Sequence, residues 1–131
     1  MVSYRINPAF DIAEVIAVLR SSGLNRPADD PARLRCMFDN ADLTVGAYYG
    51  SRLIGYVRAL SDRAWACYLA DLAVTEAYQG QGVGRAMVDR IRAEIGDRVS
   101  LILLSAPAAM TYYPYIGFDK LENAFIMPRK N

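Results

Sequence analysis

The chain contains no histidine. That absence removes the usual general base, the Ser-His and Cys-His nucleophile systems, and the commonest metal ligand. Cysteine is scarce: Cys36 and Cys67 are the only two. Their spacing fits no zinc pattern, and a single pair is no disulfide framework. They read as buried or half-buried thiols in a reducing compartment, and no metal is expected. No apolar run approaches the ~20 residues that a membrane span needs. The start, "MVSYRINPAF", has no charged segment leading into an apolar one, so a cytoplasmic protein without a signal peptide is expected. An excess of one charge is also lacking: 15 Lys and Arg face 14 Asp and Glu, for a net charge of +1. The arginines are scattered and form no basic block, which argues against nucleic acid or an anionic membrane as partner.

What is present is globular: 131 residues, 53% apolar and 22% charged, enough for one domain over residues 1–131. Ser3–Ile6 reads as a short strand. Ile12, Val15, Ile16 and Leu19 recur at helical spacing, and Gly23 closes that helix. A loop over 25–31 leads to a second helix, about 32–39, that buries Leu34, Met37 and Phe38. The period then changes to that of strands. Two β-rich runs flank Gly50-Ser51 and a third ends at Val74, which predicts an antiparallel meander. A helix over 82–95 carries Val83, Met87, Ile91 and Ile95 on one stripe and stops at Gly96. "SLILLS", 100–105, is apolar enough for a strand covered on both faces. A short helix over 108–116, strained by Pro114, precedes closing strands at 118–121 and 124–127. The expected class is α+β, a mixed layout with a central, mostly antiparallel sheet and helices on both faces.

The stretch "DLAVTEAYQGQGVGRAMVDRI" carries the third strand into Gly80, Gly82 and Gly84 and then into the helix. Glycines let the backbone turn sharply and let an outside group approach its amides. The helix start has no Ser, Thr, Asp or Asn cap and no acid before Asp89, and Arg85 adds positive charge. Such an end suits a phosphate or diphosphate. No lysine follows as a P-loop requires, and Arg85 stands where a dinucleotide fingerprint needs a third glycine. A plain strand-to-helix turn is the alternative.

These residues resemble the GNAT superfamily of acetyl-CoA-dependent N-acetyltransferases. "QGQGVG", Gln79–Gly84, is similar to its Q/R-x-x-G-x-G/A signature. "YYPYIGF", Tyr112–Phe118, is similar to the family's FY-x-x-x-GF segment, and "DLAV", Asp71–Val74, to the strand before the signature. The resemblance implies a GNAT-like domain whose loop (Gln79, Gly80, Gln81, Gly82, Val83, Gly84 and Arg85) holds the coenzyme A diphosphate. It implies that Leu72, Ala73 and Val74 pair with the pantetheine arm, in a slot where this strand and the next splay apart. It also puts Tyr113 at the family's general acid. Where many members carry an asparagine after the fifth major strand, this chain reads "SAPAA", Ser105–Ala109.

Acetyl transfer to an amine needs a polarised thioester carbonyl and a proton for the departing thiolate. A phenol can supply that proton, so histidine is not required. Tyr112, Tyr113 and Tyr115 could equally be amphipathic core aromatics. Asp71 is a candidate base if burial raises its pKa, or else a brace bonded to loop amides or an arginine. Glu76 reads as a solvated turn residue. The acceptor, a small-molecule or peptide amine, would enter along the first two helices and their loop. There Asp29 and Asp30 suit an ammonium, while Arg26, Arg33 and Arg35 suit an acid. The expected reaction is direct transfer in a ternary complex. Alternatives are an acyl-CoA-binding regulatory module without catalysis, or a structural partner. A homodimer through edge strands is possible.

Overall fold

The computed structural model describes residues 1–131. The elements run β1 (Val2–Ile6), α1 (Ile12–Ser22), α2 (Pro31–Asp39), β2 (Leu43–Tyr49), β3 (Arg52–Ser61), β4 (Ala66–Val74), α3 (Val83–Ile95), β5 (Ser100–Ile102) and α4 (Tyr112–Tyr115), with single 3-10 turns at Glu76–Tyr78 and Pro107–Ala109. One five-stranded sheet has the order β1-β2-β3-β4-β5. The first three pairings are antiparallel and β4–β5 is parallel. The mostly antiparallel sheet of a mixed α/β domain is therefore as expected.

The two faces of the sheet bury different helices. α3 lays Val83, Met87, Ile91 and Ile95 against Leu43, Val45, Ile54 and Val57. On the other face, Val15, Val18 and Leu19 of α1 and Leu34 and Phe38 of α2 cover Leu53, Tyr56 and Ala73. Each such side chain, fully buried, stabilises the fold by roughly 1.5–3 kcal/mol. Phe10, Phe38 and Tyr56 form an aromatic cluster, with ring centroids 5.0 Å apart for Phe10–Phe38 and 5.1 Å for Phe38–Tyr56. That cluster fixes the Tyr56 ring, and so places its hydroxyl under β4.

Two irregularities in β4 determine where side chains and free edges fall at its carboxyl end. Arg58 pairs with Asp71 and Ala59 with Leu69, so Ala70 is an extra residue, a β-bulge. Pairing with β5 covers only Ala66–Tyr68, beyond which the two strands part. The edge of β4 from Leu69 to Val74 that faces away from β3 is left without a strand partner.

The carboxyl-terminal quarter departs from the expected pattern. β5 spans three residues rather than six, and it is not covered on both faces: Leu101 and Leu103 pack on the α3 core while Ile102 and Leu104 are exposed. The helix expected over 108–116 is a 3-10 turn followed by the single turn of α4. The strands expected at 118–121 and 124–127 do not form, and every residue from Asp119 onward is exposed. An apolar run forms a strand only if a partner edge is within reach, and none pairs with it here.

Candidate active site at the end of the fourth strand

Chain direction reverses after Val74 through the 3-10 turn and the glycine loop. Thr75 N–H donates to the Ile54 carbonyl at 2.8 Å, which extends the β3–β4 ladder by one bond. The Gln79 side-chain amide donates to the Val74 carbonyl at 2.8 Å, and that of Gln81 to the Ala77 carbonyl at 3.0 Å. These two glutamines staple the loop to its own base. Gly80 and Gly82 take φ of +74° and +83°, the left-handed region where a side chain is strained. Gly84 is constrained differently: a Cβ there would stand 2.8 Å from the Tyr112 phenol oxygen.

The backbone donors of this loop are distributed unevenly. Gln79 N–H is committed, donating to the Glu76 carbonyl at 3.2 Å. The expectation that its amide joins the anion cradle is corrected on that ground; its contribution is the side-chain staple. The next six N–H groups, from Gly80 to Arg85, donate to no protein acceptor, and the first helical bond runs from Ala86 N–H to the Gly82 carbonyl at 3.0 Å. No side chain caps α3, and its first turn holds no acid. Six free donors thus cluster at the positive end of a 13-residue helix, an arrangement that suits an anion with several oxygens.

Asp71 is the opposite case. Its side chain is fully buried beneath the bulge and accepts four hydrogen bonds. Arg26 Nε (2.5 Å) and Arg58 Nη2 (3.1 Å) donate to Oδ1. Arg58 Nε (2.8 Å) and the Tyr56 hydroxyl (3.0 Å) donate to Oδ2. Arg26 Nη2 also holds the bulged Ala70 carbonyl at 2.6 Å, so one guanidinium clamps both residues. Burial pushes the Asp71 pKa up, but the hydrogen bonds and charges of Arg58 and Arg26 outweigh it, and the net direction is down. The expectation that burial would raise it is corrected by those two arginines. Tyr56 moves the other way: burial, with Asp71 beside it, raises its pKa well above the usual phenol value.

Tyr112 and Tyr113 leave α4 in a T-shaped pair, with centroids 5.3 Å apart. Tyr113 also packs edge-on against Phe118 at 5.5 Å. It is half-buried, and burial followed by the neighbouring Tyr112 raises its pKa, with Arg26 opposing. The phenol thus keeps its proton throughout the neutral range. Tyr112, by contrast, meets the first turn of α3 at Gly84.

Along α1, α2 and their loop, where an acceptor was expected to enter, the charged residues are largely committed. Asp30 caps α2 by accepting the Arg33 N–H at 3.1 Å, Asp29 pairs with Arg20 at 3.0 Å, and Arg35 lies 3.8 Å from Asp39. Cys36 is exposed rather than half-buried, and Cys67 is buried in the α3 core with its thiol pKa raised by burial. Among His, Cys, Asp and Glu, no group of three could hold a metal ion. No helix is long and apolar enough to cross a membrane. The Ala70 bulge, Arg58 and Tyr56 escaped the sequence reading. The one signal that pointed to them was a carboxylate in an apolar strand.

Comparison with known proteins bears on the family and the fold. Residues 23–127 match the acetyltransferase (GNAT) domain family model. An uncharacterized N-acetyltransferase, ycf52, of the alga Gracilaria tenuistipitata var. liui is 26% identical over 106 residues, which cover 73% of this chain and 58% of that protein. The chain thus spans little more than half of that relative. A protein of unknown function from meticillin-resistant Staphylococcus aureus, described as a probable acetyltransferase, superposes with a TM-score of 0.86 at 25% identity, covering all of both chains. The aminoglycoside N-acetyltransferase AAC(6')-Iy, in complex with CoA, shares the fold at a TM-score of 0.71 and 14% identity, covering 100% of this chain and 96% of the other.

Proposed function

The chain belongs to the GNAT family of acetyltransferases, and from that premise we propose that it moves an acetyl group from acetyl-CoA to a primary amine, by direct transfer in a ternary complex. The observation that carries this reading is the run of six unspent N–H groups from Gly80 to Arg85, beside a β4 edge that has lost its neighbour. A diphosphate fits the first and an extended amide-bearing arm fits the second. The CoA complex known for a protein of this fold supports the same assignment.

In this reading Gly80, Gln81, Gly82, Val83, Gly84 and Arg85 bind the diphosphate through their backbone, and Gln79 holds the loop shut behind them. Leu72, Ala73 and Val74 present the free β4 edge to the pantetheine amides, where alternate N–H groups of an antiparallel strand turn outward. One such N–H polarises the thioester carbonyl. Acetyl-CoA supplies the activated acetyl group. Tyr113 donates its proton to the leaving thiolate, a role suited to a phenol that stays protonated at neutral pH. Asp71 is a positioning residue in this scheme and not the base, since both its oxygens are engaged by cations and a phenol. It holds the Ala70 bulge and the acceptor loop in register through Arg26. The amine attacks in its neutral form, and the proton that its nitrogen loses as the amide forms passes through water and restores the Tyr113 phenol. The acceptor is a small-molecule or peptide amine, and the free thiols accord with a cytoplasmic setting.

Tyr113→Phe, compared with Tyr112→Phe, is the direct test. The first is expected to lower kcat by roughly 10²–10⁴-fold in a free-thiol assay on an amine panel, with CoA affinity unchanged. The second is expected to leave kcat within a few-fold. Equal turnover by both variants and the wild type would remove Tyr113 from the chemistry. Tight acetyl-CoA binding with no thiol release on any amine would instead favour a non-catalytic acyl-CoA-responsive module.

A further inference from the structure

Nothing in the backbone of Gly84 requires a glycine. It lies in the first turn of α3 and, unlike Gly80 and Gly82, takes no positive φ. Alanine is the better helix former at such a position. What excludes it is a neighbour. A Cβ on Gly84 would stand 2.8 Å from the Tyr112 phenol oxygen, closer than a methyl carbon approaches oxygen. The next atoms, Tyr112 Cζ at 3.7 Å and Leu72 Cδ2 at 3.8 Å, are at ordinary contact distance. The bare Cα is thus a seat for one hydroxyl of α4, beside the unpaired edge of β4. What that seat holds in place is the neighbour of Tyr112, Tyr113. Every hydrogen bond made by residues 107–118 stays within 106–118, so no backbone bond registers α4 against α3 or the sheet. Side chains alone do so: Ile116 and Phe118 pack on the α3 core, and Tyr112 rests on Gly84. The Tyr113 ring stands between two of these anchors, edge-on to Tyr112 at 5.3 Å and to Phe118 at 5.5 Å.

We propose that Tyr112 is a positioning residue whose ring, seated on Gly84, sets the reach of the Tyr113 hydroxyl. The loop proposed to hold the diphosphate and the phenol proposed to protonate the thiolate are then registered to one another through a single contact. This inference rests on the acetyl-transfer reading. A methyl on Gly84 lifts Tyr112 from its seat and carries Tyr113 with it, yet leaves every loop N–H in place. Removing the Tyr112 hydroxyl frees the space again, because the methyl then meets only the ring and Leu72 at ordinary distances. The two changes therefore compensate one another, which neither a helix-propensity effect nor a direct clash with the cofactor would do.

A double-mutant cycle on the full chain tests this. A displacement of about 1 Å can slow a reaction on the order of a hundredfold, so Gly84→Ala is expected to lower kcat roughly tenfold to a hundredfold. CoA affinity should stay within a few-fold of wild type. Gly84→Ala/Tyr112→Phe is expected to recover kcat to within a few-fold, whereas Tyr112→Ala, which removes the ring, should lose as much as Gly84→Ala. Carbon-detected NMR of labelled tyrosine reads the seat without any chemistry: the Tyr113 ring resonances should shift in Gly84→Ala and return toward their places in the double variant. Wild-type turnover by Gly84→Ala, a loss of kcat that Tyr112→Phe does not recover, or a loss of CoA affinity in step with kcat overturns the proposal. A wild type without turnover on any amine removes the acetyl-transfer reading and the positioning role with it. The ring resonances then decide the seat alone, and unmoved ones overturn that too.

Discussion

Two polar regions flank the end of β4, and they are built in opposite ways. Around Asp71 every oxygen is used: two arginines and a tyrosine supply four donors to one carboxylate, and no buried side-chain polar atom in the protein lacks a partner. At the glycine loop, six consecutive donors are used by nothing in the chain. The starts of α1 and α2 show that this is not a general economy of the fold. α1 has Asp11, which accepts the Ala13 N–H at 2.9 Å, and α2 has Asp30 with Pro31 behind it. Of the three helices longer than one turn, α1 and α2 are capped by a side chain and α3 is not. The start of α3, beside the unpaired β4 edge, is where the proposed anion would bind. The closed region is satisfied from within the chain, and the open one is the region proposed to bind.

That contrast can be broken most severely at its closed side. Asp71→Asn leaves two guanidiniums without their counter-charge, and is expected to destabilise the fold by about 3–5 kcal/mol in chemical denaturation. The pH dependence has a definite sign. The folded pKa of Asp71 lies below its ordinary value, so its contribution is complete above that value and is lost as pH falls through the folded one. The stability gap between wild type and Asp71→Asn should therefore be largest near neutral pH and narrow in acid. A gap constant down to strongly acidic pH would show that Asp71 does not hold its arginines as a carboxylate.

Breaking the open side should affect binding more than folding. Gly82→Val strains a left-handed position and crowds the free amides. CoA affinity is expected to fall roughly tenfold to a hundredfold by calorimetry, the loss of one or two charge-assisted bonds. Unchanged affinity would mean that the diphosphate lies elsewhere. The smallest effect is reserved for the control. Asp11→Ala removes the α1 cap and should cost about 1 kcal/mol of stability while leaving CoA affinity as it was. If it weakened CoA as strongly as Gly82→Val, the distinction between structural and binding helix starts would fail.

The difference between the two regions also decides how much of each was legible in the sequence. The open one was, because glycine spacing, a missing cap and Arg85 are all local signals within seven residues. The helix stripe of α3, the Gly96 stop and the hairpin at Gly50-Ser51 were legible for the same reason. The closed region was not. Arg26 and Arg58 stand 45 and 13 positions from Asp71, and no periodicity encodes an ion pair across such distances. Nor does composition reveal that Ala70 is a bulge, since its neighbours alternate as in any strand. The tail misled for a third reason. "AFIM" has strand chemistry, but whether a strand forms depends on an edge to pair with, and within one chain that edge is not reached.

In the proposed function, the amides from Gly80 to Arg85 bind the diphosphate of coenzyme A. Amide-resolved NMR of the ¹⁵N-labelled protein, titrated with CoA, tests it at the atoms concerned. Large shifts and slowed hydrogen exchange are expected at those six N–H groups, while the committed Gln79 N–H and the capped start of α1 change little. CoA binding that left the six resonances unmoved, or no binding at all, would contradict it.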